Sequence, residues 1–347
     1  GIDEIAVSSP SFSNNTGAVF VISGATLPIT HHYSDIVFGS GQNPGFWMSG
    51  EMEGAFFGHS LDAVGDTNQD GLNDLIIGAP GSSLLNRNKI GTSYLIWGSD
   101  SPWDDMIVWN FASHPVMRIY GSNANDRLGF AVSAAGDINN DGLQDYLAAS
   151  PYYSDLSGYV FVGYGRVNGN NDIDLSTDSV ETRGFSIQGT TASQFGFCAA
   201  RLGDMDGDGI DDLVIGAPHY SDNSSNISRR GGAFILKGGA IAAGAHSLDA
   251  ILSTQPGDVY ITLGGHTNSS LGYSVAAAGD FNRDGMKDVI ISAPLQDTLD
   301  CLECGSVYLI LGRSDLFSSN EHDFTCTMCG FEVTGEYGGG RFGHVVR

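Results

Sequence analysis

The chain has 347 residues, with 15 Lys and Arg against 40 Asp and Glu, a formal charge of −25 and 49 glycines. A surface this acidic, without a basic stripe, excludes nucleic acid as a partner. No apolar run approaches the roughly 20 residues that a membrane-spanning helix needs, so membrane contact would come only through segments outside this chain.

In chain order, Gly1-Ile2-Asp3-Glu4-Ile5-Ala6-Val7-Ser8-Ser9-Pro10 reads as the back half of a phrase that recurs complete four times downstream. Each complete copy contains Asp-x-(Asp/Asn)-x-Asp-Gly-x-x-Asp. The first runs Asp66, Asn68, Asp70, Leu72, Asp74, and the second Asp137, Asn139, Asp141, Leu143, Asp145. The third runs Asp204, Asp206, Asp208, Ile210, Asp212, and the fourth Asp280, Asn282, Asp284, Met286, Asp288. A spacing of 67–76 residues is too long for a solenoid coil and suits one propeller blade per repeat.

These residue types at these positions predict a calcium loop. Side-chain oxygens at positions 1, 3 and 5, a backbone carbonyl at 7 and a carboxylate at 9 can surround a hard cation that takes six to eight oxygens. The glycine at position 6 permits the sharp turn that aims the ligands inward. An EF-hand would close on a glutamate at position 12 and lie between helices. Here the loop closes at position 9, and runs such as Leu75-Ile76-Ile77 and Leu213-Val214-Ile215 follow, reading as buried strands. The four loops supply three, three, four and three carboxylates. Four Ca2+ ions would offset about a third of the net charge.

Each loop sits inside a longer phrase. Phe57-Gly58 precedes the first and Gly78-Ala79-Pro80 follows it; the later copies are Leu128-Gly129 with Ala149-Ser150-Pro151, Phe195-Gly196 with Gly216-Ala217-Pro218, and Leu271-Gly272 with Ser292-Ala293-Pro294. The whole phrase resembles the FG-GAP repeat of integrin α-subunit β-propellers, over nearly the entire chain. The departures are two leucines in place of phenylalanine and two altered Gly-Ala-Pro triplets, and no calcium loop is affected.

The resemblance implies an all-β fold, a β-propeller of four-stranded FG-GAP blades. Residues 1–347 form one propeller domain or part of one, with partial repeats at 1–50 and 336–347 flanking the four complete ones. The family closes with seven blades, so the expectation is a seven-bladed propeller in a longer polypeptide. A five-bladed ring, its last blade made from the two end pieces, is the alternative. Within the first complete repeat the expected strands are an innermost A (Gly58 to Val64), B (Leu75 to Gly78), C (Thr92 to Trp97) and an outer D (Met117 to Tyr120). Calcium loops and C–D loops then share the bottom face, and B–C and D–A loops share the top, where the resemblance implies that partners approach.

Four Asn-x-Ser/Thr sequons, at Asn14, Asn223, Asn226 and Asn268, all map to that top face and are expected to carry N-glycans. The cysteines leave a choice. Cys301-x-x-Cys304 and Cys326-x-x-Cys329 have zinc-site spacing. The first pair precedes strand C at the top and the second precedes strand D at the bottom, roughly 20 Å away at 3.3 Å per residue. Two local disulfides are therefore expected, with a four-cysteine zinc site as the alternative. Cys198, in a strand A, is expected to be a buried free thiol.

The nine histidines form no metal-spaced pair, and no nucleophilic triad can be read from their order, so no catalytic residue is expected. The functional expectation is an extracellular or cell-surface propeller for adhesion or assembly. Its partners would be proteins or glycans, other copies of the chain or an integrin β-like subunit. The tryptophan-bearing segment from Trp103 to Phe111 is a candidate contact. FG-GAP-like propellers also stand beside catalytic domains, as in glycosylphosphatidylinositol-specific phospholipase D, so a noncatalytic accessory propeller of a secreted hydrolase is the alternative.

Overall fold

The structure is a computed structural model that describes residues 4–22, 45–99, 116–167, 171–221, 230–254, 257–263, 268–297, 301–318, 321–323 and 330–347. Strands β1 (Ile5–Ser9), β2 (Ala18–Ile22) and β3 (Gly45–Ser49) make a first antiparallel sheet. The next sheet contains β4 (Ser60–Gly65), β5 (Asp74–Ala79), β6 (Thr92–Ile96) and β7 (Val116–Tyr120). The expected order A, B, C, D is realised within one or two residues at each end.

The same meander recurs three times. The third sheet has β8 (Ala131–Gly136), β9 (Asp145–Ser150), β10 (Tyr159–Gly163) and, after the short β11 (Ile173–Asp174), β12 (Gly184–Gln188). The fourth has β13 (Cys198–Gly203), β14 (Asp212–Ala217), β15 (Gly232–Leu236) and, after β16 (Gly244–Ser247), β17 (Val259–Leu263). The fifth has β18 (Val275–Gly279), β19 (Asp288–Ala293), β20 (Ser306–Ile310) and, after β21 (Glu321–Asp323), β22 (Gly330–Thr334). The short strands are a feature that periodicity did not foretell. Each leaves its own C–D connection and joins the outer edge of the preceding sheet in parallel: β11 on β7, β16 on β12 and β21 on β17.

The innermost strands β4, β8, β13 and β18 lie side by side, as blades around an axis require. Asp62 on β4, for example, accepts the Ala134 N–H of β8 at 2.9 Å. The core lies between consecutive blades. Strand β14 shows how the period-2 pattern serves two interfaces: Leu213, Ile215 and Ala217 pack toward the third sheet, while Val214 packs toward the fifth. All four are wholly buried, and burial of such Leu, Ile and Val side chains stabilises by about 1.5–3 kcal/mol each.

The residues of the FG and GAP phrases meet. Phe57, Leu128, Phe195 and Leu271 are buried wedges between one blade and the next. The glycine after each wedge donates its N–H to the carbonyl of the B strand: Gly58 to Gly78 at 2.9 Å, Gly129 to Ala149 at 3.0 Å, Gly196 to Gly216 at 3.0 Å and Gly272 to Ser292 at 2.9 Å. Among the described residues β1 pairs with β2 alone, and residues 341–347 form no strand. Phe342 instead donates its N–H to Cys304 O at 2.8 Å, repeating the wedge geometry on the fifth blade.

Candidate functional site: four A–B loops and an aromatic arc

Each acidic loop lies between strands A and B and follows a one-residue bulge, at Val64, Ala135, Leu202 and Ala278, where strand A leaves the ladder. Position 1 organises the turn. Asp66 accepts the N–H of Asp70 at 3.1 Å and of Gly71 at 2.8 Å; Asp137 accepts those of Asp141 and Gly142, both at 2.9 Å. Asp204 and Asp280 do the same for their own loops. The position-6 glycines Gly71, Gly142, Gly209 and Gly285 have φ of +87°, +89°, +88° and +94°. Nothing lies within 4 Å of a Cβ built on any of them, so backbone conformation and not space requires glycine there.

The position-9 aspartates are buried and anchored. One oxygen of Asp74, Asp145, Asp212 and Asp288 accepts the position-2 N–H of its own loop, at 2.8, 3.0, 2.9 and 2.6 Å. The other accepts the N–H of Gly98, Gly165, Gly238 and Gly312 just beyond strand C, at 2.9, 2.8, 2.8 and 2.8 Å. Burial pushes Asp145 and Asp212 up to about 7, against the pull of those N–H donors, with the neighbouring loop carboxylates adding to the rise.

The donor set fits a hard cation, since the side chains at positions 1, 3, 5 and 9 of every loop offer oxygen. In the third loop, carboxylate oxygens of Asp204, Asp206 and Asp208 lie within 4.8 Å of one another. That loop already holds a positive charge: the Lys237 ammonium hydrogen-bonds Asp206 and, at 2.6 Å, Asp208. Burial pushes the Asp208 carboxyl upward, but the Lys237 ammonium and the Ile210 N–H outweigh it and hold the group below its ordinary value. The carbonyls of Leu72, Leu143, Ile210 and Met286 belong to the same turns, whose N–H groups donate to position 5 at 2.9 Å in each loop.

The other predicted positions separate into two groups. Asn14, in the β1–β2 turn, and Asn268, between β17 and β18, are exposed and lie at the end opposite the acidic loops, on the expected top face. Cys301 and Cys304 form a local disulfide. Cys198 keeps a free thiol that donates to Gly272 O at 3.1 Å, and burial pushes it up to about 12. Asn223, Asn226, Cys326, Cys329 and the segment from Trp103 to Phe111 lie outside the described residues.

One feature of the top face is not among the expectations drawn from the sequence. The residue after each FG-type pair is aromatic or histidine, and the five rings form a continuous arc where the A strands begin. His59 lies 4.7 Å from Phe130, Phe130 5.3 Å from Phe197, Phe197 5.0 Å from Tyr273 and Tyr273 4.9 Å from His344, between ring centroids. Tyr152 meets Phe130 edge-on at 5.4 Å, and the Arg127 guanidinium sits 4.7 Å over Tyr152. Partial desolvation against the neighbouring rings lowers His59 from its ordinary value, and Nδ1 lies 3.0 Å from Phe130 O. The signal was readable, because each ring stands at the same offset from its FG glycine.

The FG-GAP repeat family matches residues 57–96 and 199–231, which span strands A to C of the second blade and most of the same stretch in the fourth. Among curated proteins, integrin alpha-5 of Xenopus laevis is 29% identical over 219 residues, 61% of this chain and 19% of that protein. Integrin alpha-IIb of Homo sapiens is 31% identical over 187 residues, 52% of this chain and 16% of that protein. Integrin alpha-PS5 of Drosophila melanogaster is 32% identical over 169 residues, 49% of this chain and 16% of that protein. The chain thus carries FG-GAP repeats in a β-propeller similar to those of integrin α-subunits, and it spans less than a fifth of the length of these relatives.

Proposed function

We propose that this chain is the calcium-stabilised propeller of an extracellular or cell-surface adhesion protein, binding a protein or glycan partner without catalysing a reaction. The observation that carries this reading is the repetition of one turn four times with an all-oxygen donor set. In it, side chains at positions 1, 3, 5 and 9 and the position-7 carbonyl would hold Ca2+ in each loop. The ion would neutralise crowded carboxylates beside the bulge at the bottom rim of each blade, which stabilises the blade against unfolding.

The aromatic arc is our candidate partner surface, because clustered rings give large contact area at low entropic cost and their faces attract cations. An integrin β-like subunit or a second copy of the chain would be bound there, with N-glycans at Asn14 and Asn268 around it. Residues 1–347 would then be part of one propeller domain, completed to seven blades by the rest of a longer protein. Calcium titration of the chelated chain by calorimetry tests the reading, with four sites per chain expected. No heat and no uptake would sink it.

A further inference from the structure

Three of the four acidic loops share a hydrogen bond that the third cannot make. The position-3 asparagine donates from Nδ2 to Oδ2 of the position-5 aspartate: Asn68 to Asp70 at 2.9 Å, Asn139 to Asp141 at 2.8 Å and Asn282 to Asp284 at 2.8 Å. In the third loop position 3 is Asp206, which when ionised has no proton to donate and adds a fourth carboxylate. The place of the missing amide is taken by Lys237, whose Nζ bridges Oδ2 of Asp206 and Oδ2 of Asp208. Both changes fall in the same repeat. Trp97, Tyr164 and Leu311 hold the position equivalent to Lys237 in the others, each just past strand C and just before the glycine that binds the position-9 aspartate.

The lysine is held at its post. Its N–H donates to Asp258 O at 2.9 Å, and its ammonium lies 5.3 Å from the centroid of the Phe317 ring. The Asp206 side chain is only 7% exposed, so leaving it ionised with no positive neighbour would be costly. With Lys237 in place, the four carboxylates carry the same net charge as the three of each other loop.

We propose that Lys237 is a tethered counter-ion that makes the third loop an exchangeable cation site: its ammonium fills the gap between positions 3 and 5 until Ca2+ displaces it. The proposal rests on the calcium reading above. The four loops are then not equivalent. Three bridge positions 3 and 5 with a neutral amide that carries no charge to be displaced, whereas the third bridges them with an ammonium that offsets its extra carboxylate when calcium is low. Calcium entering it must evict an ammonium from two carboxylates, and in exchange gains one more charged ligand than the other loops offer. The flexible four-carbon stem of lysine, with its head partly exposed, permits that exit.

The test uses the intact chain and its K237M variant, titrated with Ca2+ from the chelated state and melted both in chelator and in saturating Ca2+. K237M is expected to bind one Ca2+ about tenfold more tightly, because the competing charge is gone. It is also expected to melt lower than the parent in chelator, and no lower in saturating Ca2+. A D206N/K237M double variant rebuilds the amide bridge of the other three loops and should recover the chelated-state melting temperature. Superimposable isotherms with calcium bound, or an equal drop in melting temperature under both conditions, would show that Lys237 only packs on Phe317. Failure of the double variant to recover would equally overturn the proposal. Absence of calcium uptake by parent and variant alike would instead remove the calcium reading itself.

Discussion

Gly17 and Phe57 approach so closely that a Cβ on the glycine would lie 2.1 Å from the Phe57 carbonyl oxygen. The pair forms a parallel bridge between the first and second blades, and Gly91 with Leu128, Gly158 with Phe195 and Gly231 with Leu271 repeat it at the following junctions. The buried wedge residue is thus fastened by its own backbone to the blade before it. We predict that Gly158→Ala, at φ +85° and 2.1 Å from Phe195 O, loses more than about 4 kcal/mol of stability or fails to fold. Gly54→Ala, at φ +74° with nothing within 4 Å, should lose only about 1 kcal/mol. Equal losses in urea melts would show that φ alone, and not the blade contact, demands glycine.

Chelation should lower the melting temperature of the chain, since metal bound only to the folded state stabilises by about 2.7 kcal/mol per site at a free concentration of 100 Kd. Asp141→Ala removes a position-5 carboxylate that also accepts from Asn139 and Leu143. It should reduce the stoichiometry by one. Replacement of Asp208, which carries the Lys237 contact, should weaken its site likewise. An unchanged melting curve with and without chelator would contradict a structural role for the ion.

Asp126 supplies a pH signature. It is buried at the start of the third repeat, where it accepts the Asn123 N–H at 2.6 Å, and burial pushes it up to about 6. A folded value above the unfolded one means that the folded chain takes up this proton first. Its contribution is therefore fully present below about pH 4 and is lost as pH rises through 6. Asp126→Asn should become more stable relative to the parent across that window, by on the order of 1–3 kcal/mol. Urea melts at pH 4.5 and 7.5 measure it, and a difference that does not change with pH would refute the assignment.

Arg118 on β7 joins three segments. Its guanidinium donates to Glu51 at 2.6 and 2.9 Å and approaches Asp172 at 3.7 Å, while its N–H donates to the other Asp172 oxygen at 2.9 Å. Asp172 directly precedes β11, so this clasp helps to hold the parallel fifth strand against the second blade. We expect Arg118→Met to cost about 2–4 kcal/mol, because it leaves Glu51 nearly buried and uncompensated. Adding Glu51→Gln should restore part of the loss, and a double-mutant cycle reads the coupling directly. Strict additivity would mean that the ion pair contributes nothing.

Asn14 and Asn268 should be glycosylated when the chain passes through a secretory host. Asn14 must first give up the hydrogen bond from Nδ2 to Glu53 at 3.0 Å, an exposed contact of little energetic weight. Mass loss on endoglycosidase treatment, abolished stepwise by Asn14→Gln and Asn268→Gln, checks this. An unmodified mass at both positions would leave the top face bare.

The sequence by itself determined the repeat, the strand order and the acidic loops, because each rests on local chemistry. Glycine at position 6 is demanded by one residue's φ, alternation in Leu213-Val214-Ile215 by the pleat, and the chain ends of A and B by the turn between them. Tertiary structure decided what depends on residues that lie far apart in sequence and belong to different blades. That Phe57 is fastened to Gly17, that β11, β16 and β21 reach back to the preceding blade, and that His59, Phe130, Phe197, Tyr273 and His344 line up as one arc are all consequences of stacking blades side by side. The Lys237 substitution lay in plain view, 31 residues from Asp206, but had no meaning until strands β14 and β15 laid the end of strand C against the loop. Charge acts through space, and only the fold says which charges are near.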